Sequence, residues 1–126
     1  MRLFIGIDLP ISLKQNLYTI AHQVSTKTQG RVTALMNYHL TLVFLGELDE
    51  IQKDHLIENL KTLSFTPFQL DLSSIGYFQK GERFIYYMGL KQSSELRTLY
   101  HTVSSLIRPL NLDLHGSFEP HITLIR

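Results

Sequence analysis

Two segments of this chain carry nearly the same four letters, His39-Leu40-Thr41-Leu42 inside "NYHLTLVFLGEL" and His121-Ile122-Thr123-Leu124 inside "FEPHITLIR". With six His and ten Thr in 126 residues, two His-x-Thr matches that each run on into apolar residues arise by chance at roughly 2%. A repeat of this kind, set in similar local patterns, implies a fold whose two parts are built alike and packed on one another.

The surrounding periodicities supply those patterns. "RLFIGIDL" alternates Leu3, Ile5, Ile7 and Leu9 on one face, a strand that Pro10 stops. Ser12 is an N-cap type, and Leu13, Leu17, Ile20, Ala21 and Val24 then recur at helical spacing over residues 13 to 25. "YHLTLVFL" returns to period two and ends at Gly46, after which Asp49 opens a helix to about Leu63 with Ile51, Leu56, Ile57 and Leu60 inward. Residues 67 to 77 and 83 to 90 read as strands joined through Lys80-Gly81-Glu82. Ser93 or Ser94 starts a helix through about Ile107, ended by Pro109, and "HITLI" is the last strand. The order is β-α-β-α-β-β-α-β, an α+β chain in which each His-x-Thr strand follows a helix of similar length.

Length and composition narrow the function. A chain of 126 residues with 44% apolar content makes one domain with a single sizeable core. There is no cysteine, so no disulfide framework, thiolate metal site or thiol nucleophile is available, which suits a reducing cytoplasm. The opening residues lack the pattern of a signal peptide, and no apolar run is long enough to span a bilayer, so the expected setting is intracellular, away from membranes. A net charge of +1 and a pI near 8.1 do not describe a protein that coats nucleic acid, yet they allow one that grips a terminal phosphate.

On a strand, His39 and Thr41 project from one face about 6 to 7 Å apart, as do His121 and Thr123. Imidazole is the side chain that serves as base or acid near neutral pH, and hydroxyls hydrogen-bond charged oxygens. Two of each, brought to one cleft by the repeat, suit phosphodiester hydrolysis: one His takes a proton from water, the other gives one to the leaving oxygen, and no metal or other cofactor is needed. A single strand His is more often a hydrogen-bonded structural residue, and it is the matched pairing that favours chemistry. His22, His55, His101 and His115 have no Thr two places on and no metal-ligand spacing, and read as surface or capping residues. A Gly-rich phosphate loop is also missing, which argues against an ATP-dependent ligase.

At these residues the chain resembles the 2H phosphoesterases, a family marked by two His-x-Thr motifs. More narrowly it resembles the LigT-like bacterial and archaeal RNA 2′,3′-cyclic phosphodiesterases, also called 2′-5′ RNA ligases. "RLFIGIDLP" matches the family's opening strand, "NYHLTLVFLGEL" and "FEPHITLIR" its two motifs, and "RFIYYMGL" its central strand. The resemblance implies a bilobal fold, two pseudo-symmetric lobes of antiparallel sheet with helices outside and a central cleft. His39 and His121 are then catalytic, with His121 as base and His39 as acid, and Thr41, Thr123 and Arg126 bind phosphate. The implied partner is an RNA 3′ end carrying a 2′,3′-cyclic phosphate, tRNA fragments among them, hydrolysed to a 2′-phosphate or joined in reverse to a 5′-hydroxyl. Alternatives of the same fold are a non-catalytic RNA-end or nucleotide binding module and a phosphodiesterase for small cyclic nucleotides or 2′-5′ oligonucleotides.

Two departures from the family pattern stand out. Tyr87 occupies a central-strand position where relatives usually have Trp. Relatives also continue some tens of residues beyond the second motif, so the second lobe is expected to be incomplete, with an unpaired sheet edge near "PHITLI" that a second copy of the chain covers as a homodimer. Strict alternation puts Arg126 on the face opposite His121 unless a bulge re-aims it. Phe44, Tyr77, Phe78 and Phe118 are candidates for stacking a terminal base, with most expected in the core, and Lys80 and Arg83 are expected in a solvated loop.

Overall fold

The computed structural model describes residues 1–112, 114 and 117–126, so His115 lies outside the described residues. Among these described residues, five strands and three α-helices run in the expected order: β1 (Arg2–Asp8), α1 (Ile11–Ser25), β2 (His39–Glu47), α2 (Glu50–Leu60), β3 (Leu72–Lys80), β4 (Arg83–Leu90), α3 (Ser94–Ile107) and β5 (His121–Ile125). Short 3₁₀ turns at Leu35–Asn37 and Arg108–Leu110 precede β2 and follow α3. β1 pairs with β2 in one sheet, and β3, β4 and β5 form a second, antiparallel sheet in that order.

Several boundaries differ from expectation for local reasons. α1 starts at Ile11 behind Pro10, whose φ of −59° and missing N–H suit a helix entry, so Ser12 lies inside the first turn and caps nothing. Asp49 does cap α2: its carboxylate accepts from the Gln52 N–H at 2.7 Å, while the Gln52 side chain accepts from the Asp49 N–H at 3.0 Å. That helix ends at Leu60 rather than Leu63, and of the four residues expected inward Ile51 and Ile57 are 68% and 46% exposed. At 100° per residue they sit about 140° and 100° around the helix from the buried Leu56. β3 begins at Leu72, five residues past Pro67, and the hairpin turn is the pair Gly81-Glu82, with Gly81 at φ +61° and Lys80 opposite Arg83. Ser93 caps α3 through its hydroxyl, which accepts from the Leu96 N–H at 3.1 Å. Pro109 sits within the following 3₁₀ turn, and it is Asn111, left-handed at φ 54°, that ends it.

The chain divides into two compact units, each assembled from three segments rather than from one half of the sequence. One comprises 1–5, 42–70 and 92–119. Within it α2 packs on α3, Asn59 Nδ2 donates to the Leu106 carbonyl at 3.0 Å, and Leu56, Leu96, Leu99, Val103 and Ile107 are buried. The other comprises 6–41, 71–91 and 120–126, and there α1 packs on β5, burying Leu17, Ala21, Leu40, Met88, Ile122 and Leu124. Both His-x-Thr segments belong to this second unit.

The open edge expected at the last strand is filled along its C-terminal half. Beyond β4 on one side, the segment 31–33 pairs with β5 on the other: Arg31 and Arg126 exchange N–H···O bonds of 2.7 and 3.0 Å, and the Thr33 N–H reaches the Leu124 carbonyl at 2.9 Å. Gly30 permits this approach, because a Cβ there would lie 2.7 Å from the Arg126 carbonyl oxygen. The homodimer expected through that edge therefore loses its structural motive over these residues.

Candidate active site

The two His-x-Thr strands are equivalent in burial as well as in letters. From the His onward, β2 and β5 each read half-buried, buried, half-buried, buried, buried, so Leu40 and Leu42, like Ile122 and Leu124, face a core while the His and Thr alternate outward between them. An apolar-in pattern of period two thus fixes which way the polar pair points.

His39 is held at both ring nitrogens. Its Nδ1 lies 2.7 Å from the Asn37 carbonyl and its Nε2 3.0 Å from Thr41 Oγ1. A carbonyl only accepts, so Nδ1 carries the proton, and in the neutral ring Nε2 accepts from the Thr41 hydroxyl. Nε2 is on the side of the ring that faces Thr41. Asp8, at the end of β1, is an electrostatic neighbour: its carboxyl is lowered from 3.8 first by the hydrogen bond from Lys14, then by the Leu9 N–H and the charge of Lys14, with a smaller contribution from His39.

His121 lies across from Gly89 of β4, and Thr123 across from Tyr87. Two aromatic rings wall this histidine: Phe78 meets it edge-on at 5.1 Å and Tyr87 at 5.4 Å, while Phe78 and Tyr87 stack on each other at 4.5 Å. The glycine opposite Tyr87 makes this possible. Tyr87 lies across Gly76, where an added Cβ would come 2.6 Å from the phenol oxygen. The residue in the usual Trp position thus belongs to the wall of His121.

Arg126 is exposed, and its strand does not alternate strictly. Tyr87 pairs with Thr123 but Tyr86 pairs with Ile125, so β5 carries one extra residue there, a β-bulge. The shift returns Arg126 to the parity of Thr123 and His121, against the simple alternation count.

Of the aromatic candidates, Phe78 adjoins His121, and Phe118 stacks on Tyr100 at 4.2 Å in the other unit. Phe44 and Tyr77, expected in the core with the rest, are 64% and 60% exposed. Lys80, Arg83, His22, His55 and His101 are exposed, as expected. Sequence reasoning singles out Tyr87 without pairing it with His121, and passes over Asp8 and Lys14. The available signal for Lys14 was its place on the apolar stripe of α1 with Leu17 and Ala21. Among the described residues no group of three or more His, Asp, Glu or Cys is placed to hold a metal ion, and no helix is long and apolar enough to cross a membrane.

Comparison with known proteins agrees with this architecture. Residues 7–86 match the family model described as LigT like phosphoesterase. An RNA 2′,3′-cyclic phosphodiesterase of Archaeoglobus fulgidus is 28% identical over all of this chain and 72% of its own length. Among solved structures, apo LigT of E. coli superposes with a TM-score of 0.84 at 29% identity, covering 99% of this chain and 71% of that one. The same enzyme complexed with 3′-AMP gives 0.83 at 28% identity, with 99% and 70% covered. The chain belongs to the LigT-like phosphoesterases of the 2H superfamily, with their α+β fold.

Proposed function

We propose that this protein hydrolyses the 2′,3′-cyclic phosphate at the 3′ end of RNA, tRNA fragments included, to a 2′-phosphate. The observation that carries the reading is the equivalence of the two His-x-Thr pairs, at the same positions of two strands with the same burial and in one compact unit. The relatives' name supports the substrate. In the reaction, His121 accepts a proton from water as the water oxygen bonds to phosphorus. The P–O3′ bond breaks and His39 Nε2–H protonates the departing O3′, leaving a 3′-hydroxyl and a 2′-phosphate. The Asn37 carbonyl keeps the other His39 nitrogen as a donor in both charge states, which suits a ring that must present a proton from Nε2. Thr41, Thr123 and Arg126 hold the non-bridging oxygens where charge accumulates. Run backward with a 5′-hydroxyl in place of water, the same steps join two RNA ends without ATP. Phe78 and Tyr87 offer the terminal base a stacking surface beside His121.

The test is incubation with an oligoribonucleotide ending in a 2′,3′-cyclic phosphate, with chromatography of the products against 2′- and 3′-phosphate standards. A 2′-phosphate product is expected. A 3′-phosphate product would reverse which oxygen leaves, and an untouched cyclic end would end the proposal.

A further inference from the structure

Lys14 is buried to 3% exposure on the apolar stripe of α1, the one charged residue so placed among the described residues. An ammonium taken out of water is unfavourable unless it is paired and hydrogen-bonded, so its partners show what holds it there. Its Nζ pairs with Asp8 at 2.8 Å and donates to the Met36 carbonyl at 3.1 Å. Met36 lies in the 3₁₀ turn Leu35–Asn37, which is closed by the Asn37 N–H on the Ala34 carbonyl at 2.9 Å. The next carbonyl along, that of Asn37, is the one that holds His39 Nδ1.

We propose that Lys14 is a positioning residue for His39: by anchoring the Met36 carbonyl to α1 and β1, it sets the orientation of the adjacent Asn37 carbonyl, and so the tautomer and aim of the histidine. A one-turn segment held by a single internal hydrogen bond has few constraints of its own, and a peptide plane that rotates by a few tens of degrees no longer points its oxygen at Nδ1. The ammonium supplies the missing constraint, and Asp8, 83% exposed at its side chain, keeps the ammonium from retreating toward solvent. Lys14 touches no reacting atom and acts only through the backbone that orients His39. This inference rests on the reading of His39 as the general acid.

The experiment records the ring nitrogens of His39 and His121 by NMR in full-length wild type, Lys14→Met and Lys14→Arg, alongside kcat and KM on a cyclic-phosphate oligonucleotide. Wild type should show a single His39 tautomer with the proton on Nδ1. In Lys14→Met the His39 signal should shift toward a mixture of tautomers while His121 is unchanged, and kcat should fall on the order of 10- to 10²-fold with little change in KM. Lys14→Arg, which restores a charged donor, should recover both readouts. A folded Lys14→Met protein with the wild-type His39 signature and wild-type kcat overturns the proposal. Should Lys14→Met not fold, Asp8→Asn tests the same linkage on an exposed side chain: a partial shift of both readouts is expected, and none would overturn it. The NMR signature requires no substrate, so a Lys14-dependent His39 tautomer in a protein that leaves the cyclic phosphate intact would sink the functional proposal alone.

Discussion

The ring of His39 is fixed at Nδ1 by a carbonyl, whereas His121 is flanked by two aromatic rings, so two chemically identical side chains sit in different surroundings. The proposed reaction needs one imidazole neutral and the other protonated, so the rate on a cyclic-phosphate substrate should pass through a maximum between two apparent pKa values. Replacing either His by Ala should lower kcat by about 10²- to 10⁴-fold, and either Thr41→Ala or Thr123→Ala by about 10- to 10³-fold. A flat pH profile, or unreduced turnover in His121→Ala, would remove the paired mechanism. Tyr38, just before His39, supports a separate expectation about stability. Its hydroxyl is buried with no hydrogen-bond partner, and burial, aided by Tyr18, raises its pKa from 10.0 to about 12. A raised folded pKa contributes stability that is fully present below pH 10 and lost as pH climbs toward 12. Tyr38→Phe should abolish that alkaline loss and raise stability by about 1 kcal/mol in urea unfolding at neutral pH. The repeat singles out His39, Thr41, His121 and Thr123 as the candidate residues. The place of Lys14 on the apolar stripe of α1 is the one signal for it, and its pairing with Asp8 is not legible, because a contact across a strand–helix turn leaves no period in the sequence.

At the level of elements, the second sheet does the placing. Its register sets His121 and Thr123 beside Gly89 and Tyr87, and its bulge returns Arg126 to their side. The strand pattern around "HITLI" is plain from alternation, but a bulge inserts one residue without changing composition, so the alternation count alone cannot place Arg126. The β3–β4 hairpin is legible from Gly81, whereas the strand expected from residue 67 starts five residues later, since Phe68 and Leu70 carry the apolar alternation back into chain that precedes the strand. The small residue at Gly76 is a testable part of this sheet. A Cβ there would come 2.6 Å from the Tyr87 phenol oxygen and 2.7 Å from the ring carbon that bears it, so Gly76→Ala should push that ring off Phe78. The expected result is a loss of about 1–3 kcal/mol in thermal or denaturant unfolding, with a changed near-ultraviolet signal from the aromatic stack. Unchanged stability together with an unchanged aromatic signal would show that the ring has room to spare.

For the molecule as a whole, element order was readable while assembly was not. Period two and period 3.6 alternate cleanly along the chain, yet the two compact units each gather three separate segments, and α1 covers the strand at the far end of the sequence. Long-range pairing of this kind depends on which apolar faces fit each other, and periodicity along one chain carries no information about that. The Asp8–Lys14 pair, which ties the end of β1 to α1, also marks an acid limit. A carboxyl lowered below 3.8 contributes stability that is present above that pH and lost as pH falls through the folded value. The melting temperature should therefore decline on acidification below about pH 4, and Asp8→Asn should flatten part of that decline.

The claim that joins these levels is that two separated strands deliver their His-x-Thr pairs to one phosphate. It is tested most directly by a crystal structure of the full chain grown with inorganic phosphate. The expected result is one anion within about 2.6–3.2 Å of the Nε2 atoms of His39 and His121 and of the Thr41 and Thr123 hydroxyls. A structure in which the two histidines bind separate anions, or lie on surfaces that no single phosphate can bridge, would contradict it.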